Sequence, residues 1–430
     1  MKFQTELSVR IKGFWRKLGP GLVTGAADDD PSGIATYSQT GAQFGYGQLW
    51  TALWMLPLMV AVQEACARIG LVTGKGVTTI VKERYNKVVL YSVVGLVVVA
   101  NTINIGADLG AMAAGAQLLV HASFIFLTLS FTVIILLVEI FTNYKRYAKI
   151  LKWLAVTLLA YPITLFIVKQ PWGTVLKNTV VPHFEFSFAF LFIITGVLGT
   201  TISPYMFIWE ASQEVEELDE KFETTKGKPV IGRMSIKNMR FDNTFGMLFS
   251  EFATWSIIVV GGTVLHNHGI TNINTAADAA KALEPLVHSF PHAGFLSKLI
   301  FAVGIIGLGL LAIPVLSGSA AYSFAEALNW KASLNLKFGK AKGFYGIIIA
   351  ATVVGLLLNF IGVDPVKALV YAAVFNGVAA VPLIFLVLKI SSNEEIMGEF
   401  KSGPVSKTIL WITFIAMGAA AIAMFFTFGK

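Results

Sequence analysis

Charge is the scarcest property of this 430-residue chain. Asp, Glu, Lys and Arg together make up 13% of it, where a soluble domain carries about 25%. That shortage, set beside 55% hydrophobic residues and a mean hydropathy of +0.70, excludes an ordinary soluble globule and marks a polytopic membrane protein. Cysteine is nearly absent: Cys66 stands alone, which excludes an internal disulfide and a multi-cysteine metal site. No Gly-x-x-x-x-Gly-Lys loop, His-Glu-x-x-His pair or nucleophile elbow occurs. Nucleotide-driven, zinc-protease and serine-hydrolase chemistry therefore lack their residues, and the chain reads as neither an enzyme nor the holder of a cofactor. The net charge of +8 comes from basic residues scattered over short loops, a topology signal and not a nucleic-acid-binding patch.

What the chain has in abundance is apolar runs. Stretches of spanning length fall at 18–43, 48–72, 88–118, 123–142, 148–168, 186–209, 243–263, 296–328, 343–361, 367–388 and 408–428, so eleven helices are expected. The polar, basic segment 1–17 runs straight into the first of them, and no cleavable signal peptide is expected. With that segment cytoplasmic, 27 of the 33 Lys and Arg residues lie on the inner side. The positive-inside bias thus predicts a multi-pass plasma (inner) membrane protein with its N-terminus in the cytoplasm and its C-terminus outside. The long inner loop 211–242, rich in Glu and Lys, reads as a mobile connector, and Thr275 to Glu284 as a short surface helix. His266 and His268 read as solvated loop residues more readily than as a metal trap. Gly45-Tyr46-Gly47 lacks the rest of a potassium filter.

Two of the apolar runs are interrupted. One carries Gly25-Ala-Ala-Asp28-Asp29-Asp30-Pro31-Ser32-Gly33, the other Gly196-Val-Leu-Gly199-Thr200-Thr201-Ile-Ser203-Pro204-Tyr205. Unwound backbone at membrane depth survives only where it lines a site or cavity, and paired broken helices mark the binding centre of a transporter. Three consecutive aspartates there point to a cation. The breaks sit in matching places of two five-helix halves, and an odd number of helices per half forces the halves to be inverted. The expected fold is therefore all-α, a LeuT-type 5+5 inverted repeat: repeat 1 over 18–168, repeat 2 over 186–388, and an eleventh helix at 408–428.

Each candidate also has a plainer reading. Asp30 before Pro31 has the form of a helix N-cap, which is compatible with a ligand role. Asp28 and Asp29 diverge from Asp30 by about 100° per residue on a helix, so the three cannot all face one cavity. Ser203, Thr200 and Thr201 read either as contacts for an ion and its water or as residues bonded to their own backbone. Asn101, Asn104 and Asp108 share one face of the third helix, serving either an ion or proton path or interhelical hydrogen bonds. Glu251 and Glu326 are further intramembrane candidates. Glu64 and Arg68, four apart, read as an ion pair, and Glu210 and Glu214 as a solvated acidic face.

In these same residues the chain resembles a known family. Gly19-Pro20-Gly21-Leu22-Val23 leading to Asp30-Pro31-Ser32-Gly33 is similar to the first helix of the Nramp metal-ion transporters, with its Gly-Pro-Gly and Asp-Pro-Gly-Asn. Gln63-Glu64-Ala-Cys-Ala-Arg68-Ile-Gly70-Leu-Val-Thr73-Gly74 resembles the end of the second helix. Gly199-Thr200-Thr201-Ile202-Ser203-Pro204 resembles the sixth, and Glu326 and Asp364-Pro365-Val-Lys367 fall where similar motifs sit. The resemblance covers nearly the whole chain in order. It implies that metal is held by Asp30 and by the positions of Gly33, Thr200 and Ser203, which in the family are asparagine, an alanine carbonyl and methionine. Tyr205 stands at the family's histidine, and Ile105 and Asp108 at the acidic pair of helix 3.

Replacing a thioether by Ser203 leaves an all-oxygen donor set, which suits hard Mg²⁺ or Mn²⁺ over softer metals. Gly33 and Ser203, being small, are expected to leave room for a hydrated ion, as in the Nramp-related magnesium transporters that this pattern resembles. The loss of one helix 3 acid predicts transport without obligatory proton coupling, although Asp108 keeps coupling open. The expected partners are a divalent cation and the lipid bilayer, with no nucleic acid; the sequence leaves the oligomeric state open and is compatible with a monomer. The alternative within the same fold is a carrier of an organic amine or amino acid that no longer binds metal.

Overall fold

The computed structural model describes residues 20–142, 158–225, 231–290 and 292–428. The first span is split into α1 (Pro20–Asp28) and α2 (Pro31–Phe44). Helices α3 (Trp50–Thr73), α4 (Val77–Arg84), α5 (Lys87–Gln117) and α6 (Phe124–Phe141) follow. Next come α7 (Ala160–Ile167) and α8 (Trp172–Val180), then the split pair α9 (Phe188–Thr201) and α10 (Pro204–Thr225). Helices α11 (Arg233–Val260), α12 (Ala293–Leu328), α13 (Lys342–Leu358), α14 (Pro365–Ser391) and α15 (Pro404–Thr427) complete the chain.

Eight of these helical stretches are long and apolar enough to cross a membrane. The other three expected spans are the split first one, the shorter α13, and the fifth, of which α7 is the described part. Segment 1–17, Gly19 and residues 148–157 lie outside the described residues. Chain ends of the spans carry the side chains that close helix termini. Asn86, Ser123, Ser187 and Asp364 each accept a hydrogen bond from a backbone N–H in the first turn of α5, α6, α9 and α14, satisfying donors a helix start leaves open. Phe126, Phe141, Phe425 and Phe426 on α6 and α15 are exposed, as lipid-facing surfaces are.

The breaks are tighter than the sequence predicts. Gly25 to Ala27 and Gly196 to Thr201 remain helical, and only Asp29–Asp30 and Ile202–Ser203 are unwound. The connector 211–242 is largely helical, because α10 runs on to Thr225 and α11 starts at Arg233. Hydropathy marks where the apolar stretch stops, while Glu, Lys, Ala and Leu continue a helix past that edge; residues 226–230 lie outside the description. The expected surface helix forms as Ala276–Ala280, capped by Thr275, but Ala276, Ala279 and Ala280 are buried.

Packing follows an exchange of halves. α5 and α12, the third and eighth spans, lie along each other; α3 and α11, the second and seventh, do the same. α1 and α2 pack on α11 just as α9 and α10 pack on α3. A five-plus-five inverted repeat produces this pairing, and α15 packs outside it on α14, α9 and α3. Backbone meets backbone where glycine permits. A Cβ on Gly199 would lie 2.6 Å from Gly377 Cα on α14, and one on Gly25 would lie 2.9 Å from Gly246 Cα on α11. These approaches bring both broken spans to the middle of the bundle.

Candidate functional site

Pro31 has no N–H to donate and opposes continuation of α1, so the chain breaks before it and restarts. Asp30 is extended there (φ −67°, ψ 174°) and caps α2. Its Oδ1 accepts from Gly33 N at 2.8 Å and from the Ser32 hydroxyl at 2.6 Å. Its Oδ2 is buried and has no hydrogen-bond partner. In the second break the Ser203 hydroxyl donates back to Gly199 O at 2.6 Å and Thr200 O at 2.9 Å, closing the last turn of α9 before Pro204 starts α10. The C-terminal carbonyls of α1 and α9 and the N-terminal amides of α2 and α10 thus converge at the breaks, a mixed-polarity lining that a charged solute needs.

The two breaks are stitched together. Tyr37 OH lies 2.8 Å from Thr201 Oγ1, Ser32 Oγ lies 3.4 Å from Thr200 Oγ1, and Tyr205 OH donates to Ala27 O at 3.0 Å. The room expected beside Gly33 is taken: a Cβ there would meet the Tyr37 ring at 3.2 Å and Thr200 Oγ1 at 3.3 Å. Asp28, Asp29 and Asp30 are 0, 0 and 1% exposed, so the centre is closed to both sides. Cavities of about 650 and 700 Å³ lie near the loops; His268 lines the first and Asp364 the second, and no residue of the two breaks lines either.

The aspartates diverge as helix geometry requires. Asp28 Oδ2 accepts from Ser250 at 2.7 Å, and Asp29 Oδ1 faces the Thr254 hydroxyl at 3.4 Å, both on α11. Glu251, on the same helix, has neither carboxyl oxygen hydrogen-bonded, and Asp108 on α5 likewise has none. Buried carboxylates without counter-charge are costly, a cost that either a proton or a bound cation relieves. Among the described residues no three His, Cys, Asp or Glu side chains converge as a ready-made metal site. Carbonyls, hydroxyls and water must therefore complete the shell of any ion held here.

The remaining candidates separate. Asn101 donates to Leu316 O at 2.8 Å, an interhelical bond, while the amide of Asn104 is buried without a partner. Glu326 accepts from Thr79 N at 2.9 Å and from its hydroxyl at 3.1 Å, which ties α12 to the start of α4. Glu64 and Arg68 form the expected pair, but a buried one: Arg240 joins Glu64 at 2.8 Å, and Arg68 reaches Phe400 O at 2.6 Å. The acidic face at Glu210 and Glu214 is not solvated. Both are buried, and Glu210 accepts from the Thr24 hydroxyl of α1, which packs on α10. His266 and His268 each turn Nδ1 onto a backbone carbonyl at 2.8 Å, Ala42 O and Val264 O respectively. Sequence reasoning missed Tyr37, Ser250 and Thr254. Ser250 and Thr254 lie four apart, one helical face beside Glu251, a polar signal in an apolar span.

An all-α bundle with two broken spans meeting at buried, unpaired carboxylates defines a multi-pass membrane protein of the LeuT-type transporter fold. The sequence matches the family described as "Natural resistance-associated macrophage protein-like" over residues 21–427, and the chain belongs to that Nramp family, one of transporters and not of enzymes. It is 26% identical over 408 residues to the divalent metal cation transporter MntH of Caldanaerobacter subterraneus subsp. tengcongensis, covering 93% of this chain and 90% of the relative. Its structure is similar to that of the Eremococcus coleocola manganese transporter, with a TM-score of 0.73 and 15% identity, covering 97% and 90% of the two chains. The fold recurs, with a TM-score of 0.59 and 14% identity, in MHP1, a nucleobase-cation-symport-1 family transporter, covering 95% and 92%.

Proposed function

We propose that this protein is a secondary transporter that carries a divalent metal cation, Mg²⁺ or Mn²⁺ in preference to softer metals, by alternating access around its two breaks. The observation that carries this reading is the Asp30 carboxyl: one oxygen is committed to capping α2 and the other is buried without a partner where the broken spans meet. Asp30 supplies the charge. The Thr200 hydroxyl and the carbonyls at the end of α9 supply neutral oxygens, with Ser203 holding that end in place. Oxygen-only donors favour hard cations, and Mg²⁺ keeps several waters and needs few protein ligands. The family membership and the two relatives named for divalent metal and manganese support the substrate class.

Inward movement of a divalent ion gains roughly 4.6 kcal/mol per 100 mV, from about 2.3 per elementary charge, so the membrane potential alone suffices as a drive. Ile105 on α5 offers no acid, and uptake proceeds without an obligatory proton. The N-terminus is cytoplasmic, in keeping with the concentration of basic residues on that side. Proteoliposomes loaded with a metal reporter and a pH dye test this. Mn²⁺ should enter, excess Mg²⁺ should compete, and the interior should not acidify. If no divalent ion enters, the reading is wrong and organic solutes become the substrates to try.

A further inference from the structure

The connector between α11 and α12 forms a strap with a polar upper side and an apolar underside. Thr271, Asn274, Lys281 and Glu284 are exposed, while Ile273, Leu283, Val287 and the alanines between them are buried. The Thr275 cap and the Lys281–Asp278 pair at 3.0 Å hold its short helical turns together. One side chain of α2 clasps its start. Gln39, 8% exposed, accepts from Ile273 N at 2.8 Å through Oε1 and donates through Nε2 to Thr271 O at 3.2 Å. Further along, Leu283 is 1% exposed and shares with Ile34 of α2, Tyr161 of α7 and Leu308 of α12 the lining of a void of about 10 Å³, room for about one water. Ile34 follows Pro31 by three residues in α2, so the strap reaches to within a helical turn of the first break.

We propose that segment 271–287 is a lid on the outer approach to the Asp30 centre, plugged by Leu283, clasped by Gln39, and lifted to admit the ion. This deepens the alternating-access reading above and rests on it. In the orientation given there, α2 leads outward from Asp30, and the strap touches it at Ile34 and Gln39, so an ion arriving along α2 meets the strap first. The strap is lightly fastened for a segment set so deep. Four of its seven buried residues are alanine, Ala276, Ala279, Ala280 and Ala282, and an alanine buries far less apolar surface than a leucine. Few buried apolar contacts are what distinguish segments that open locally from permanent core. Space also lies on both flanks. The cavity of about 700 Å³ meets the strap at Thr275 to Ala277, and the one of about 650 Å³ meets it at Lys281, Glu284 and His288. Gly269, at φ +77° with open space where a Cβ would stand, gives the turn from which the strap departs, a conformation that glycine adopts without strain.

Thiol labelling of the full-length protein in detergent, in a Cys66→Ser background and without metal, tests the lid. Ile34→Cys, at a position now 3% exposed, should react about 3- to 10-fold faster when Gln39→Ala is added, the change in open fraction that loss of one or two hydrogen bonds produces. Leu283→Ala should quicken it as well. Ala321→Cys, buried on α12 well away from the strap in sequence, should label no faster. No rise at Ile34→Cys, or an equal rise at Ala321→Cys, would overturn the lid. A second experiment asks whether the lid must lift. Gln39→Cys with Thr271→Cys, joined by a short reducible bifunctional thiol reagent in proteoliposomes, should lose Mn²⁺ uptake and regain it on reduction. Undiminished uptake by the bridged protein would overturn the proposal. Faster labelling of Ile34→Cys beside no Mn²⁺ uptake by the wild type would keep the lid and remove the ion-transport reading alone.

Discussion

One oxygen of the Asp30 carboxyl caps α2 and the other has no partner, so its structural and ion-binding roles can be separated by substitution. Asn is as good an N-cap as Asp. Asp30→Asn should therefore melt within a few degrees of wild type, whereas Asp30→Ala should lose about 1 kcal/mol. Uptake should collapse in both, by more than the roughly 10–100-fold that loss of a mere supporting partner costs a metal site. Wild-type uptake by Asp30→Asn would reduce Asp30 to a cap. Its importance was legible from the sequence because Asp-Pro inside an apolar run has few purposes. The filling of the space beside Gly33 was not inferred; part of its cause is local, since Tyr37 lies four residues on along the same helical face, and part is Thr200, brought in from the second break. The turning of Asp28 and Asp29 onto α11 depends on Ser250 and Thr254, more than 220 residues away, and no local pattern contains such a contact.

Among the elements, α1 is held to α11 in part by close backbone contact. Gly25 lies against Gly246, and Gly21 N donates to Asp242 Oδ2 at 2.8 Å. Any side chain on Gly25 must push α1 off α11, at a typical overpacking cost of about 1–3 kcal/mol. Gly25→Val should therefore loosen this short helix and admit water to the closed centre. In a Cys66→Ser background with Ala27→Cys, a position now 1% exposed, a thiol reagent should label faster when Gly25→Val is added. Unchanged labelling would mean that α1 does not control access. Hydropathy and the two X-Pro breaks placed the apolar edges of the described spans, the fifth apart, to within a few residues. The polar extensions of α10 and α11 escaped, because hydropathy reports the solvent a residue prefers and not whether its backbone is helical.

For the whole molecule, the two halves exchange helices in their packing, and distant segments are fastened at one end by Arg68. Its guanidinium, 1% exposed, bonds both oxygens of Glu64 at 2.9 and 3.1 Å, Phe400 O at 2.6 Å and Ser402 Oγ at 3.0 Å. Removing one partner of a buried pair costs about 3–5 kcal/mol, although Arg240 remains to offset part of the Glu64 charge. Arg68→Ala should lower the melting temperature well beyond Lys75→Ala, which breaks only the exposed pair with Glu83, worth under about 1 kcal/mol. Equal losses would contradict this. The i,i+4 spacing of Glu64 and Arg68 announced their pairing; its burial depends on the turn before α15, 332 residues on from Arg68. The account as a whole rests on a cation sitting where the two halves meet. Anomalous scattering at the manganese edge from crystals grown with Mn²⁺ tests that most directly. We predict a peak within bonding distance of Asp30 Oδ2, between Asp30 and the end of α9. Density for Mn²⁺ only elsewhere, with this centre empty, would contradict the account.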